Sequence, residues 1–151
     1  LAKGYEVVIA PAPLLYFDYL PSDDPEEPFA RRPVCTWQDI VAYDPADGVP
    51  AEQRGGLLGL QGQIWTEFLP TTAQVEYLVW PRLAAVAQVG WHGPTDPAAF
   101  EPRLAAHVAR LDARGIGYRP LAGPHPWQRG GTGVRQLVPW TPEHYYAIKA
   151  D

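Results

Sequence analysis

The sequence predicts an α/β fold, and three stretches carry that expectation. Residues 57–64 (LLGLQGQI) are short, mostly apolar and punctuated by glycine, as in a strand buried on both faces. Beyond Trp65, Thr66 and Glu67, the pair Leu69-Pro70 breaks the strand. Apolar residues then recur at helical spacing through Val75, Leu78, Val79, Leu83, Val86, Ala87 and Trp91. The third stretch, Val7-Val8-Ile9-Ala10, is a β-branched run stopped by Pro11 and Pro13. Strand, polar turn, helix is one unit of such folds, and residues at the strand's C-terminal end face the ligand. Trp65 and Glu67 stand at one such end.

Taken in order, the strand over residues 7–10 leads into Leu14-Leu15-Tyr16-Phe17-Asp18-Tyr19, an apolar run bracketed by prolines that suits a loop leaving a strand. Residues 21–33 (PSDDPEEPFARRP) are acidic and proline-rich. Alone they read as a solvated linker, and between two strands of one sheet as a long active-site loop. Thr36 with Asp39 three residues on predicts a capped short helix through Val41, Ala42 and Tyr43. Residues 46–56 form a loop. In the next helix Thr71 or Thr72 caps, Glu76 is placed as a first-turn acid, and Pro81 marks a kink or a junction. Asp96-Pro97 reads as a turn and Glu101-Pro102 as the start of a further helix. Its stripe is Leu104, Val108 and Leu111, and Gly115 stops it.

Composition removes several classes. The formal net charge of −5 and the scattering of 12 basic residues argue against a nucleic-acid partner. One cysteine, Cys35, excludes an internal disulfide and any cysteine-based metal site. No apolar run approaches the roughly 20 residues of a membrane span. The four histidines, His92, His107, His125 and His144, lack metal-ligand spacing, so no metal is expected. The paired acids Asp23-Asp24 and Glu26-Glu27 read as a solvated face.

Two short motifs carry candidate chemistry. Trp65 and Glu67, two apart, point the same way on a strict strand. They read as an aromatic wall beside a sugar-binding carboxylate, or as a buried tryptophan with a glutamate capping the next helix; spacing does not separate the two. Tyr16 and Asp18 repeat the pattern, against the alternative of a packed aromatic and a turn aspartate. Trp37, ahead of an amphipathic turn, reads as packing.

These same stretches resemble a known family. GLQGQIWTE followed by EYLVWPRLAAVAQVGW is similar to the last strand and helix of family 20 glycoside hydrolases, the β-N-acetylhexosaminidases. VVIAPAPLLYFDY resembles their penultimate strand with its Tyr-x-Asp, and GIGYRPLAGPHPWQ their C-terminal end. Gln88 departs from the pattern, standing where the family usually has an acid at a packing or salt-bridge position. The resemblance implies a C-terminal fragment of a (β/α)8 TIM barrel: the last two β/α units, a C-terminal helix and an irregular tail. Residues 1–128 would belong to the barrel and 129–151 to the tail. A whole barrel needs roughly 200 residues or more, and the chain has 151, starting at Leu1 with no methionine; both fit a piece of a longer protein. Secretion is left open, since the true N-terminus is not visible.

The implied chemistry is substrate-assisted: the substrate's acetamido oxygen attacks the anomeric carbon and forms an oxazolinium intermediate. By resemblance, Tyr16 bonds that oxygen and is the catalytic candidate. Trp65 walls the acetamido pocket, Glu67 binds the O4/O6 side of the terminal sugar, and Asp18 contacts hydroxyls. The family's Asp-Glu pair, which orients the acetamide and protonates the leaving group, lies on an earlier strand and is not in this chain. No cofactor is implied. The expected partners are an N-acetylhexosamine glycoside and the missing N-terminal part of the barrel, and the fragment alone should be inactive and poorly soluble. The alternatives are a non-catalytic carbohydrate-binding module, or a structural fragment whose Trp65 is fully buried.

Overall fold

A computed structural model of the 151-residue chain describes residues 1–129. The expected tail therefore lies, apart from Arg129, outside the described residues. Strand β1 (Val7–Ile9) pairs in parallel with β2 (Leu57–Leu60), in the register Val7↔Leu57, Val8↔Gly59 and Ile9↔Leu60. The irregularity between Val7 and Val8 leaves Leu58 as the extra residue between Leu57 and Gly59, and the φ of 151° at Gly59 suits a residue without a side chain. The ladder outlives both strands. Gln61 N–H donates to Ile9 O at 2.9 Å, Gln63 N–H to Leu15 O at 2.7 Å, and Phe17 N–H to Gln63 O at 2.7 Å. Residues 10–14 thus make a proline-braced detour before the chain rejoins its partner at Tyr16↔Gln63. A strand over 57–64 was the expectation; with the detour opposite it, the strand spans Leu57–Leu60.

Helix α1 (Trp37–Ala42) carries the expected box, with Thr36 Oγ1 accepting from Asp39 N–H and Asp39 accepting from Thr36 N–H. Helix α2 (Thr72–Val79) is capped the same way by Thr71 and Gln74. It ends at Trp80-Pro81, and α3 (Arg82–His92) starts directly afterwards, because a proline cannot continue the first helix. Glu76 is not the first-turn acid expected; it accepts from Gly117 N–H at 2.8 Å and ties down the segment after the last helix. That helix, α4 (Pro97–Asp112), starts earlier than the sequence suggested. Asp96 caps it by accepting from Ala98 N–H at 3.0 Å, Pro97 takes the first turn, and Pro102 sits inside it.

The helices cover one face of the strand pair. Leu15, Phe17, Ile40, Val41, Ala85, Val86, Phe100 and Leu104 form the main core, with Leu60 and Ile64 packed against it from the sheet. A smaller cluster joins Leu20, Leu69, Tyr77 and Leu78. Val8 and Leu58 are exposed, so the strands are not buried on both faces as expected: nothing among the described residues covers their second face. Trp37 is buried and tilts against Phe100 at 6.1 Å, a packing role. Gln88 is buried too and donates to Gly93 O at 3.4 Å.

Candidate active site

The end of the strand pair is built by two buried arginines that sequence reasoning did not single out. Arg82, the first residue of α3, is 2% exposed. Its guanidinium fans out to main-chain carbonyls: Phe17 O at 2.5 Å, Tyr19 O at 2.9 Å, Cys35 O at 3.1 Å, and Leu78 O through both Nε and Nη2. The Leu78 bonds satisfy a carbonyl that the end of α2 leaves without its helical donor. The other bonds fix the segment carrying Tyr16 and Asp18. Phe17 lies between this cation, 5.1 Å from its ring centroid, and Gly62, where an added Cβ would come within 2.6 Å of the ring. Burial lowers the Arg82 pKa to about 10, which leaves the group charged at neutral pH.

The second arginine anchors the acidic loop. Glu27 is 0% exposed, so reading Glu26-Glu27 as a solvated face was wrong for Glu27. Its carboxylate accepts from Arg119 Nε at 2.5 Å, Ser22 Oγ at 2.5 Å and Tyr77 Oη at 2.7 Å. A buried carboxylate has to be paired, and these partners pin the loop to α2 and to the segment after α4. Burial, then the hydrogen bond to Glu27, pushes the Tyr77 hydroxyl far above its ordinary pKa.

With its middle fixed, the loop returns beside the strand end. Arg31 N–H donates to Asp18 O at 2.9 Å, and Leu20 N–H to Arg31 O at 2.8 Å. Asp18 is 3% exposed, yet neither carboxylate oxygen accepts a hydrogen bond among the described residues. Arg31 Nε lies 3.2 Å from Asp18 Oδ2, and its Nη2 donates to Glu67 Oε2. Burial raises the Asp18 pKa, while its own backbone, Arg31 and Arg82 pull it back. A buried, under-satisfied carboxylate of this kind is a common mark of a functional site.

Of the four residues singled out from the sequence, Asp18 and Glu67 are thus joined by one guanidinium. Tyr16 and Trp65 stand on the same paired ends. Tyr16 meets Tyr19 edge-on at 6.4 Å, and Trp65 is 54% exposed, which removes the reading of a fully buried tryptophan. Neither the Tyr16 hydroxyl nor the Trp65 indole N–H has a hydrogen-bond partner among the described residues. The arrangement offers an aromatic face, a free hydroxyl and two carboxylates at one strand end, a donor and acceptor set suited to a polyhydroxylated ligand. Among the described residues no group of three or more His, Cys, Asp or Glu could hold a metal, and no helix is long and apolar enough to cross a membrane.

Fold and site together describe an α/β chain with aromatic and carboxylate side chains gathered past the C-terminal end of a parallel strand pair. Residues 1–94 match the family model described as "Glycosyl hydrolase family 20, catalytic domain"; the chain belongs to that family. It is 34% identical over 133 residues to a beta-hexosaminidase of Porphyromonas gingivalis, covering 85% of this chain and 17% of the relative. It is 38% identical over 111 residues to one of Vibrio vulnificus, covering 60% and 13%. Among solved structures, the family 20 exo beta-N-acetylglucosaminidase of Vibrio harveyi, crystallised with N-acetylglucosamine, superposes with a TM-score of 0.71 at 30% identity over 79% of this chain and 19% of that one. The N-acetyl-beta-hexosaminidase of Streptomyces plicatus gives 0.67 at 26% identity, over 93% and 26%. The chain therefore spans about a quarter or less of the proteins it resembles.

Proposed function

We propose that this chain supplies the C-terminal part of the catalytic (β/α)8 barrel of a β-N-acetylhexosaminidase, an enzyme that removes terminal GlcNAc or GalNAc by substrate-assisted retaining hydrolysis. The observation that carries the reading is the pairing of buried Asp18 with Glu67 at the strand end that also holds Tyr16 and Trp65. In this reading residues 1–128 are barrel and the remainder a tail. The open face bearing Val8 and Leu58 is then barrel interior, closed by strands from the N-terminal part of the enzyme.

The division of labour follows from the chemistry. The acetamido oxygen forms a bond to the anomeric carbon as the glycosidic bond breaks. The leaving oxygen takes its proton from a general acid carried by the earlier strands. Tyr16 donates its hydroxyl hydrogen to the acetamido oxygen and holds it in line, a matter of orientation, and Trp65 closes the pocket around the methyl group. Asp18 and Glu67 accept hydrogen bonds from sugar hydroxyls and anchor the ring.

Steady-state assays of the intact protein carrying this chain test the reading. It should hydrolyse a chromogenic GlcNAc glycoside and leave the matching glucoside, which has a hydroxyl in place of the acetamido group, essentially untouched. Residues 1–151 alone should turn over neither. Equal hydrolysis of glucoside and GlcNAc glycoside would refute acetamido participation; robust turnover by the isolated chain would refute a general acid located elsewhere. GlcNAc affinity of the intact protein without hydrolysis would point instead to a binding module.

A further inference from the structure

Glu67 and Asp18 reach the site from different segments and with different freedom. Asp18 is almost wholly buried, whereas the Glu67 side chain is half exposed. An exposed glutamate with several rotatable bonds loses side-chain entropy when held in one pose, so a fixed sugar-binding geometry needs a tether. Arg31 is placed to be that tether. Its backbone is locked beside Asp18 by the main-chain bonds described above, and its guanidinium meets Asp18 with one nitrogen and Glu67 with another.

We propose that Arg31 is a positioning residue that holds Asp18 and Glu67 as a single hydroxyl-binding pair for the terminal sugar. The inference rests on the reading above that these carboxylates grip sugar hydroxyls. A planar guanidinium has five N–H donors in a rigid fork and can serve two carboxylates at once. Each carboxylate has about four acceptor positions, so both retain lone pairs for substrate O–H groups while bound to Arg31. The cation also offsets the repulsion between two like charges brought to one site. A lysine would keep the charge but act as a point rather than a fork.

The test is the loss of hydroxyl recognition. The intact enzyme is assayed on a chromogenic GlcNAc glycoside and on its 4-deoxy and 6-deoxy analogues. The parent should prefer the full sugar by roughly 10- to 100-fold in kcat/KM over at least one analogue, the size expected when a charged acceptor loses its hydrogen-bond donor. In Arg31→Ala and Arg31→Gln that preference should shrink to within about threefold, with the loss on the full sugar falling mainly in KM. Arg31→Lys should show an intermediate preference, and decides the matter if the other two fail to fold. Variants that lose activity by the same factor on all three substrates, or a lysine variant with the full parental preference, would overturn the role given to Arg31. A parent enzyme that does not distinguish the deoxy sugars would overturn the hydroxyl-binding reading itself.

Discussion

Replacing Arg82 with methionine should destabilise the intact protein by about 3–5 kcal/mol, the range for breaking a buried network of charge-assisted hydrogen bonds. Methionine approximates the length and fills the space, so the loss isolates the guanidinium. Carbonyls of Phe17, Tyr19, Cys35 and Leu78 would lose their cationic donor, and water has little access to a residue that is 2% exposed. Arg82→Lys should recover only part, because one ammonium cannot fan out to four carbonyls. Urea unfolding followed by tryptophan fluorescence checks this; a midpoint unchanged in Arg82→Met would contradict the anchoring role. The effect reaches the site as well, since Phe17 and Tyr19 flank Asp18.

The largest effect on turnover is expected from Tyr16→Phe in the intact enzyme. In the proposed mechanism the hydroxyl matters most when the acetamido oxygen becomes a nucleophile and its charge changes, so its removal should fall on kcat. A loss of ~10- to 1000-fold is expected, or about 1–4 kcal/mol. The ring stays, so its edge-on packing with Tyr19 is preserved and folding should be unaffected. Glu67→Gln should behave differently: in the proposed role Glu67 grips hydroxyls in ground and transition states alike, so KM should rise as well, for a total of about 1.5–3 kcal/mol. Steady-state kinetics on one GlcNAc substrate separates the two. A Tyr16→Phe variant within about twofold of the parental kcat would remove Tyr16 from the acetamido side.

What could be read from the sequence was local. The capping box at Thr36 and the break at Pro81 follow from residues within four positions of one another, and the structure has them where expected; of the two caps offered for the next helix, Thr71 is the one used, in a box with Gln74. The parallel pairing of the two strands was implied by the resemblance to a barrel and by no local signal. Trp65 and Glu67 were read as following directly on a strand over 57–64, but β2 ends at Leu60, and Glu67 lies in a 3-10 turn over Thr66–Phe68 that Trp65 precedes. The start of α4 was misplaced although its signal was present. Asp96 before Pro97 is a capping residue ahead of a first-turn proline, and the later Glu101-Pro102 looked the same.

Long-range pairing was not legible. Glu27 and Arg119 are 92 positions apart, and an acid among prolines and other acids carries no local mark of burial. Arg82 reads as an ordinary helix residue until the carbonyls of three separate segments converge on it. Arg31 had one hint, a basic pair inside an acidic loop that follows a strand. Only the return of that loop beside Asp18 shows why it is there.

The central claim is that this strand end receives the sugar. The most direct measurement is a crystal structure of the intact enzyme with bound N-acetylglucosamine. The account predicts the Tyr16 hydroxyl about 2.5–3.0 Å from the acetamido oxygen, the Trp65 ring against the acetamido group, and Asp18 and Glu67 accepting from ring hydroxyls. A sugar bound elsewhere, or one with its acetamido group turned toward Glu67 and away from Tyr16, would contradict it.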